Sequence, residues 1–122
     1  MTRVLVADDA SFMRQMIRDI IDQEDFEVVG EAADGVEVVE KFTELHPDVV
    51  MMDIVMPKRS GIDAVKAIMQ IAPNAQIVMC SALGQETLVM EAIQAGAKDF
   101  IVKPFKPEAV VTTLRKVVEK GI

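Results

Sequence analysis

Five times along the chain, a short run of β-branched and other apolar residues gives way to a turn and then to a segment with helical spacing. The runs are RVLVA (Arg3 to Ala7), EVVGEA (Glu27 to Ala32), DVVMM (Asp48 to Met52), QIVMC (Gln76 to Cys80) and DFIV (Asp99 to Val102). All are strand-sized, and several are apolar without alternation, as strands buried on both faces are. Between them lie apolar stripes at helical spacing: Phe12, Met13, Met16, Ile17, Ile20 and Ile21, then Val36, Val39 and Phe42, then Ile62, Val65, Ile68 and Met69. The fourth stripe is Leu88, Val89, Ala92 and Ile93, and the fifth Val110, Val111, Leu114, Val117 and Val118. Each predicts one helix face packed on a sheet. Gly30 and Gly35 punctuate the second unit, Pro47 and Pro73 follow helices, Gly96 closes the fourth helix, and Pro107 suits the first turn of the fifth.

Alternating βα units imply a parallel sheet with helices on both faces. The expected fold is therefore α/β, a doubly wound (βα)5 five-stranded sheet of order 2-1-3-4-5. That flavodoxin-like order matches a known pattern and is not independently derived. In such sheets a ligand site lies outside the carboxyl ends of the strands, where the order switches between the first and third. The sequence places polar groups there. The first strand runs into Asp8 and Asp9, the third ends at Asp53, the fourth runs through Cys80 into Ser81, and the fifth ends at Lys103. Asp53 lies within VVMMDI, where an isolated carboxylate is costly unless the strand ends or a cation meets it.

Three carboxylates without histidine or cysteine make a hard, oxygen-only site, which suits Mg²⁺ with retained waters better than zinc or copper. Calcium lacks EF-hand spacing and has too few oxygen ligands here. Carboxylates, a divalent cation, a lysine and a hydroxyl are the parts that neutralise and position a phosphoryl group. No G-x-x-x-x-G-K-[ST] is present, so the phosphoryl group must come from elsewhere, and aspartate is a competent acceptor nucleophile. Asp53 is then the candidate acceptor, with Asp8 and Asp9 holding the metal. Taken singly, each feature has a plainer explanation. An Asp pair in a turn is usually capping chemistry, with Asp9 or Ser11 as a cap, and a lysine before proline is usually solvated. Their convergence on one edge favours a site.

Bulk properties narrow the function. With 13 Lys+Arg against 20 Asp+Glu the net charge is −7, which argues against nucleic acid or an anionic membrane as partner. The start MTRVLVADD reads as neither signal peptide nor membrane span, so a cytoplasmic location is expected. Cys80 is the only cysteine and reads as a small buried hydrophobe; His46, also alone, reads as a loop residue. Met90 lies off the apolar stripe of its helix and is a candidate partner contact.

VLVADD, VVMMDIVMP, MCSA and FIVKPF together resemble the receiver domain of bacterial response regulators, over the whole chain from Arg3 to the last helix. The resemblance implies one receiver domain over residues 1–122 without an output domain, of the chemotaxis kind found in Bacillus-like and Thermotoga-like bacteria. It implies that Asp53 accepts a phosphoryl group from the histidine kinase CheA. Asp8, Asp9, Asp53 and the backbone carbonyl of Val55 would hold Mg²⁺, Lys103 and Ser81 would meet the phosphoryl oxygens, and Phe100 would swing inward. A cis Lys103–Pro104 bond is also expected. The implied partners are CheA, the flagellar switch protein FliM and a phosphatase of the CheC, CheX or FliY type. The implied protein is a signalling phosphoacceptor, not an enzyme beyond its own phosphorylation and dephosphorylation, and a monomer is the default expectation. The alternative is a phosphorelay intermediate that passes the group to a histidine phosphotransferase. KRSG after VMP departs from the usual pattern and puts Lys58 and Arg59 beside the site. A flavodoxin-like carrier would need a first loop that welcomes phosphate, which Asp8 and Asp9 repel. A haloacid-dehalogenase-like phosphatase would need D-x-D after the first strand and a cap.

Overall fold

The computed structural model describes residues 1–120; the last two residues of the expected domain lie outside that range. Strands β1 (Thr2–Ala7), β2 (Phe26–Ala32), β3 (Val49–Asp53), β4 (Ile77–Ser81) and β5 (Asp99–Val102) alternate with helices α1 (Ser11–Ile21), α2 (Gly35–Leu45), α3 (Gly61–Ile71), α4 (Glu86–Ala95) and α5 (Pro107–Lys120). All strands pair in parallel in the order β2-β1-β3-β4-β5, as expected. Strand limits differ from the sequence reading by at most a residue or so.

Side-chain alternation divides the core into two layers. Leu5, Ala7, Val50, Met52, Ile77 and Met79 pack with α2, α3 and α4. Val4, Val6, Val49, Met51, Val78, Cys80 and Ile101 pack with α1 and α5. The three central strands are thus sealed on both sides, which is why their sequences are apolar throughout. Between Val4 and Leu5 the register with β2 slips, since Val4 faces Val28 and Leu5 faces Gly30. A bulge at Val29 results.

Four of the stripe residues need correction, Phe12, Met16, Val36 and Ile93. Phe12 and Met16 are exposed, at 68% and 42%, and α1 buries Ile17 and Ile21 instead. At about 100° per residue, Phe12 and Met16 lie well around the helix from Ile17, so the stripe was wider than the buried face. Val36 is exposed as well, because α2 turns Gly35, Val38 and Phe42 inward. Ile93 sits at the margin of the α4 face. Helix starts also differ from expectation. Neither Asp9 nor Ser11 caps α1, whose N-cap is Ala10 without a side-chain bond. Asp34 caps α2 through the Val36 and Glu37 amides, and Ser60 caps α3 through the Asp63 amide. His46 is the left-handed C-cap of α2 (φ 49°), and Gly96 closes α4.

Candidate functional site

Backbone pairing carries the strand ends right up to the polar residues. Ala7 lies opposite Met52, so Asp8 and Asp53 follow at the same level. The Asp8 amide donates to the Ala32 carbonyl (3.0 Å), the Ile54 amide to the Cys80 carbonyl (3.2 Å) and the Lys103 amide to the Ser81 carbonyl (2.7 Å). The side chains that follow are therefore delivered from a rigid edge.

Carboxylate oxygens of Asp8, Asp9 and Asp53 lie within 4.8 Å of one another, with Asp8 buried and Asp9 exposed. The Lys103 ammonium donates to Asp8 Oδ2 (2.9 Å) and to Asp53 Oδ2 (3.2 Å). It is the cation that the buried carboxylates require. Asp8 Oδ1 accepts from the Ala10 amide (2.9 Å), and Asp53 Oδ1 accepts a longer bond from the Val55 amide (3.4 Å). Burial pushes the Asp53 carboxyl above the ordinary aspartate value; Lys103 works against this and the neighbouring Asp8 charge adds to it. Burial alone would lower the Lys103 ammonium, yet its bond to Asp8 and the field of both aspartates hold it above the usual lysine value. Burial also pushes the Cys80 thiol far up, consistent with a hydrophobe rather than a nucleophile.

Hard oxygen donors from three separate chain positions fit a small divalent cation such as Mg²⁺. Ser81 is buried at the end of β4 beside this cluster, without a hydrogen bond from its hydroxyl to the carboxylates. It also borders a cavity of about 240 Å³ lined by Leu83, Glu86, Val89, Met90, Phe100 and Val102. Phe100 is 42% exposed and Met90 is exposed on the same side. The Lys103–Pro104 peptide is cis.

Around the cluster the structure adds groups the sequence reading did not single out. Arg14 joins the Asp8 carbonyl (2.6 Å) to Glu31 (2.8 Å), and Arg18 holds the other Glu31 oxygen (2.7 Å). Lys41 donates to the Glu31 carbonyl. These partners are far apart in sequence, and only the β1–β2 register, Val6 opposite Glu31, hints at them. Lys58 does not point freely at the acidic cluster. Its ammonium lies 3.5 Å from the Asp34 carboxylate, and its backbone is left-handed (φ 66°).

The fold and this edge define a doubly wound α/β domain with an acidic cluster at its switch point, and the family follows from the sequence comparisons. The response regulator receiver domain family matches residues 4–115, and the chain belongs to that family. It is similar to the chemotaxis protein CheY of Thermotoga maritima, 62% identical over 94% of this chain and 96% of the relative, and to that of Bacillus subtilis, 55% identical over 93% and 95%. Among solved structures it resembles a CheX–CheY–BeF3–Mg²⁺ complex from Borrelia burgdorferi, with TM-score 0.90 and 39% identity over 95% of this chain and 88% of that one. The chain is thus a receiver-domain response regulator with chemotaxis CheY homologues. No helix among the described residues is long and apolar enough to cross a membrane.

Proposed function

We propose that this receiver acts in chemotaxis as a phosphorylation switch with Asp53 as acceptor. The observation that carries the reading is the placement of Asp53. Its carboxylate is 13% exposed, ends a buried strand, and shares one lysine with a second carboxylate. Asp8, Asp9, Asp53 and the Val55 carbonyl would hold Mg²⁺, which supplies positive charge for the oxygens of an incoming phosphoryl group.

An Asp53 oxygen attacks phosphorus of a phosphohistidine, the P–N bond breaks, and the imidazole nitrogen leaves with the electron pair. Lys103 balances charge on the group, and the Ser81 hydroxyl donates to one of its oxygens. The phosphoryl group, whose charge of about −1.5 to −2 replaces the single carboxylate charge, draws Ser81 toward the site and opens room for Phe100 in the adjoining cavity. The face formed by α4, β5 and α5 is then changed, and the motor switch protein FliM is its target. Water attack on phosphorus, with cleavage of the Asp53 O–P bond, resets the protein. The chain therefore promotes only its own phosphorylation and hydrolysis. CheA is the proposed donor. The CheX complex of the Borrelia relative supports a phosphatase of the CheC, CheX or FliY type as a further partner.

Intact mass after incubation with acetyl phosphate, with and without Mg²⁺, tests the acceptor. A labile, Mg²⁺-dependent gain of one phosphoryl group is expected, and none in Asp53→Asn. An undiminished adduct in that variant would overturn the assignment.

A further inference from the structure

Asp9 is the weakly anchored member of the acidic cluster. It is exposed, it does not cap α1, and it sits in the short turn between β1 and the helix. The direction of its side chain depends on the peptide plane between Asp8 and Asp9. That plane is fixed at one atom by a side chain, since the Asp8 carbonyl accepts a 2.6 Å bond from Arg14 Nη1. Arg14 is itself oriented. Its Nε donates to Glu31 Oε1 at 2.8 Å, Arg18 Nη2 holds Glu31 Oε2 at 2.7 Å, and only 17% of the Arg14 side chain is exposed. On the other side of the same residue, the Asp8 amide is pinned to the Ala32 carbonyl, next to Glu31 on β2. The turn is clamped from both ends to one strand.

We infer that Arg14, oriented by Glu31, is a positioning residue that holds the Asp8–Asp9 turn in the geometry a divalent cation requires. This rests on the reading of the acidic cluster as a cation site. Arg14 touches no reacting atom. Its guanidinium fixes the peptide that aims the Asp9 carboxylate, as outer partners of metal ligands commonly do. A planar two-pronged head suits the task, because one prong takes the carbonyl while another takes the carboxylate.

The sign of the effect separates positioning from bulk charge. Arg14 is a positive group bonded to the Asp8 carbonyl beside the acidic cluster, so deleting it for charge reasons alone would strengthen Mg²⁺ binding. Positioning demands the reverse. The experiment is a Mg²⁺ titration of the full chain followed by backbone amide NMR shifts, for the parent, Arg14→Met, Arg14→Lys and, as a remote loss of the same charge, Arg115→Met. Mg²⁺ affinity is expected to fall about tenfold in Arg14→Met and to fall in Arg14→Lys, which keeps the charge but not the fork. In Arg115→Met it is expected to hold. Unchanged or tighter binding in a folded Arg14→Met overturns the inference. If that variant does not fold, parent-like affinity in Arg14→Lys overturns it. If the parent itself shows no Mg²⁺-dependent shifts, the cation-site reading fails and the inference falls with it, an outcome distinct from parent binding that is indifferent to Arg14.

Discussion

Glu31 and Asp53 both sit near the carboxyl ends of strands, on β2 and β3 to either side of β1, yet their charges are kept in opposite ways. Glu31 has a guanidinium on each oxygen. The Arg18 bond, opposed by partial burial and reinforced by Arg14, holds its carboxyl below the ordinary glutamate value. Asp53 is more deeply buried and shares a single lysine with Asp8, and its carboxyl is held above the ordinary value. One carboxylate is satisfied where it lies, and the other is left short of positive charge. A group kept short in this way gains from a cation and from conversion to an acyl phosphate, whereas Glu31 has nothing to gain. Electrostatic discomfort is thus confined to the place where chemistry is proposed, and the supporting ion pairs surround it.

The largest test of this contrast is Lys103→Ala, which leaves Asp8 and Asp53 buried with no ammonium between them. It is expected to cost about 3 kcal/mol, read as a lower urea midpoint, and an unchanged midpoint would mean that the pocket is solvated. Next comes Asp53→Asn, expected to stabilise by about 1 kcal/mol at neutral pH, a rise of a few degrees in Tm. Because the folded value of Asp53 is raised, its favourable contribution is complete below the unfolded value and is lost as pH rises through the folded one. The advantage of the asparagine variant should therefore grow as pH rises through that window and then level off. Smaller and opposite in sign is Glu31→Gln. Its ion pairs are partly exposed, so a loss of about 0.5–1 kcal/mol is expected at neutral pH. Since the folded value of Glu31 is lowered, its contribution is present above the ordinary glutamate range and disappears as pH falls through the folded value. Unfolding curves for these two variants across acidic pH should diverge from the parent in opposite directions.

The parallel sheet was legible because burial on both faces leaves its strands apolar throughout, and Val49 to Met52 could hardly read otherwise. Strand order then brought together residues as distant as Asp8 and Lys103, whose side chains do meet. What was not legible depended on finer geometry. An apolar stripe does not reveal how much of its width the sheet will cover, so Phe12, Met16, Val36 and Ile93 read as core in sequence and are exposed in the fold. A capping-type residue beside a helix start does not reveal whether it will stand at the cap: Ala10 takes that position in α1, with Asp9 one residue too early and Ser11 already inside the helix. Arg14 and Glu31 carry no motif, and their contact exists only because α1 folds back over β2.

Two glycines show what the loop between β3 and α3 is pressed against. A Cβ on Gly61 would stand 2.3 Å from the backbone oxygen of Asp53, and one on Gly35 would stand 1.8 Å from the carbonyl oxygen of Arg59. The Gly61 amide also donates to Ile54 at 2.7 Å. Mechanically, Asp53 is mounted on a stiff wall, with the start of α3 against its own backbone and the following loop wedged on α2. The opposite wall, along Ser81 and Phe100, adjoins a cavity of about 240 Å³ instead. In the proposed switch, a load applied at the Asp53 carboxylate meets backbone on one side and free volume on the other, so the direction in which the signal would leave is set by where the packing has no slack.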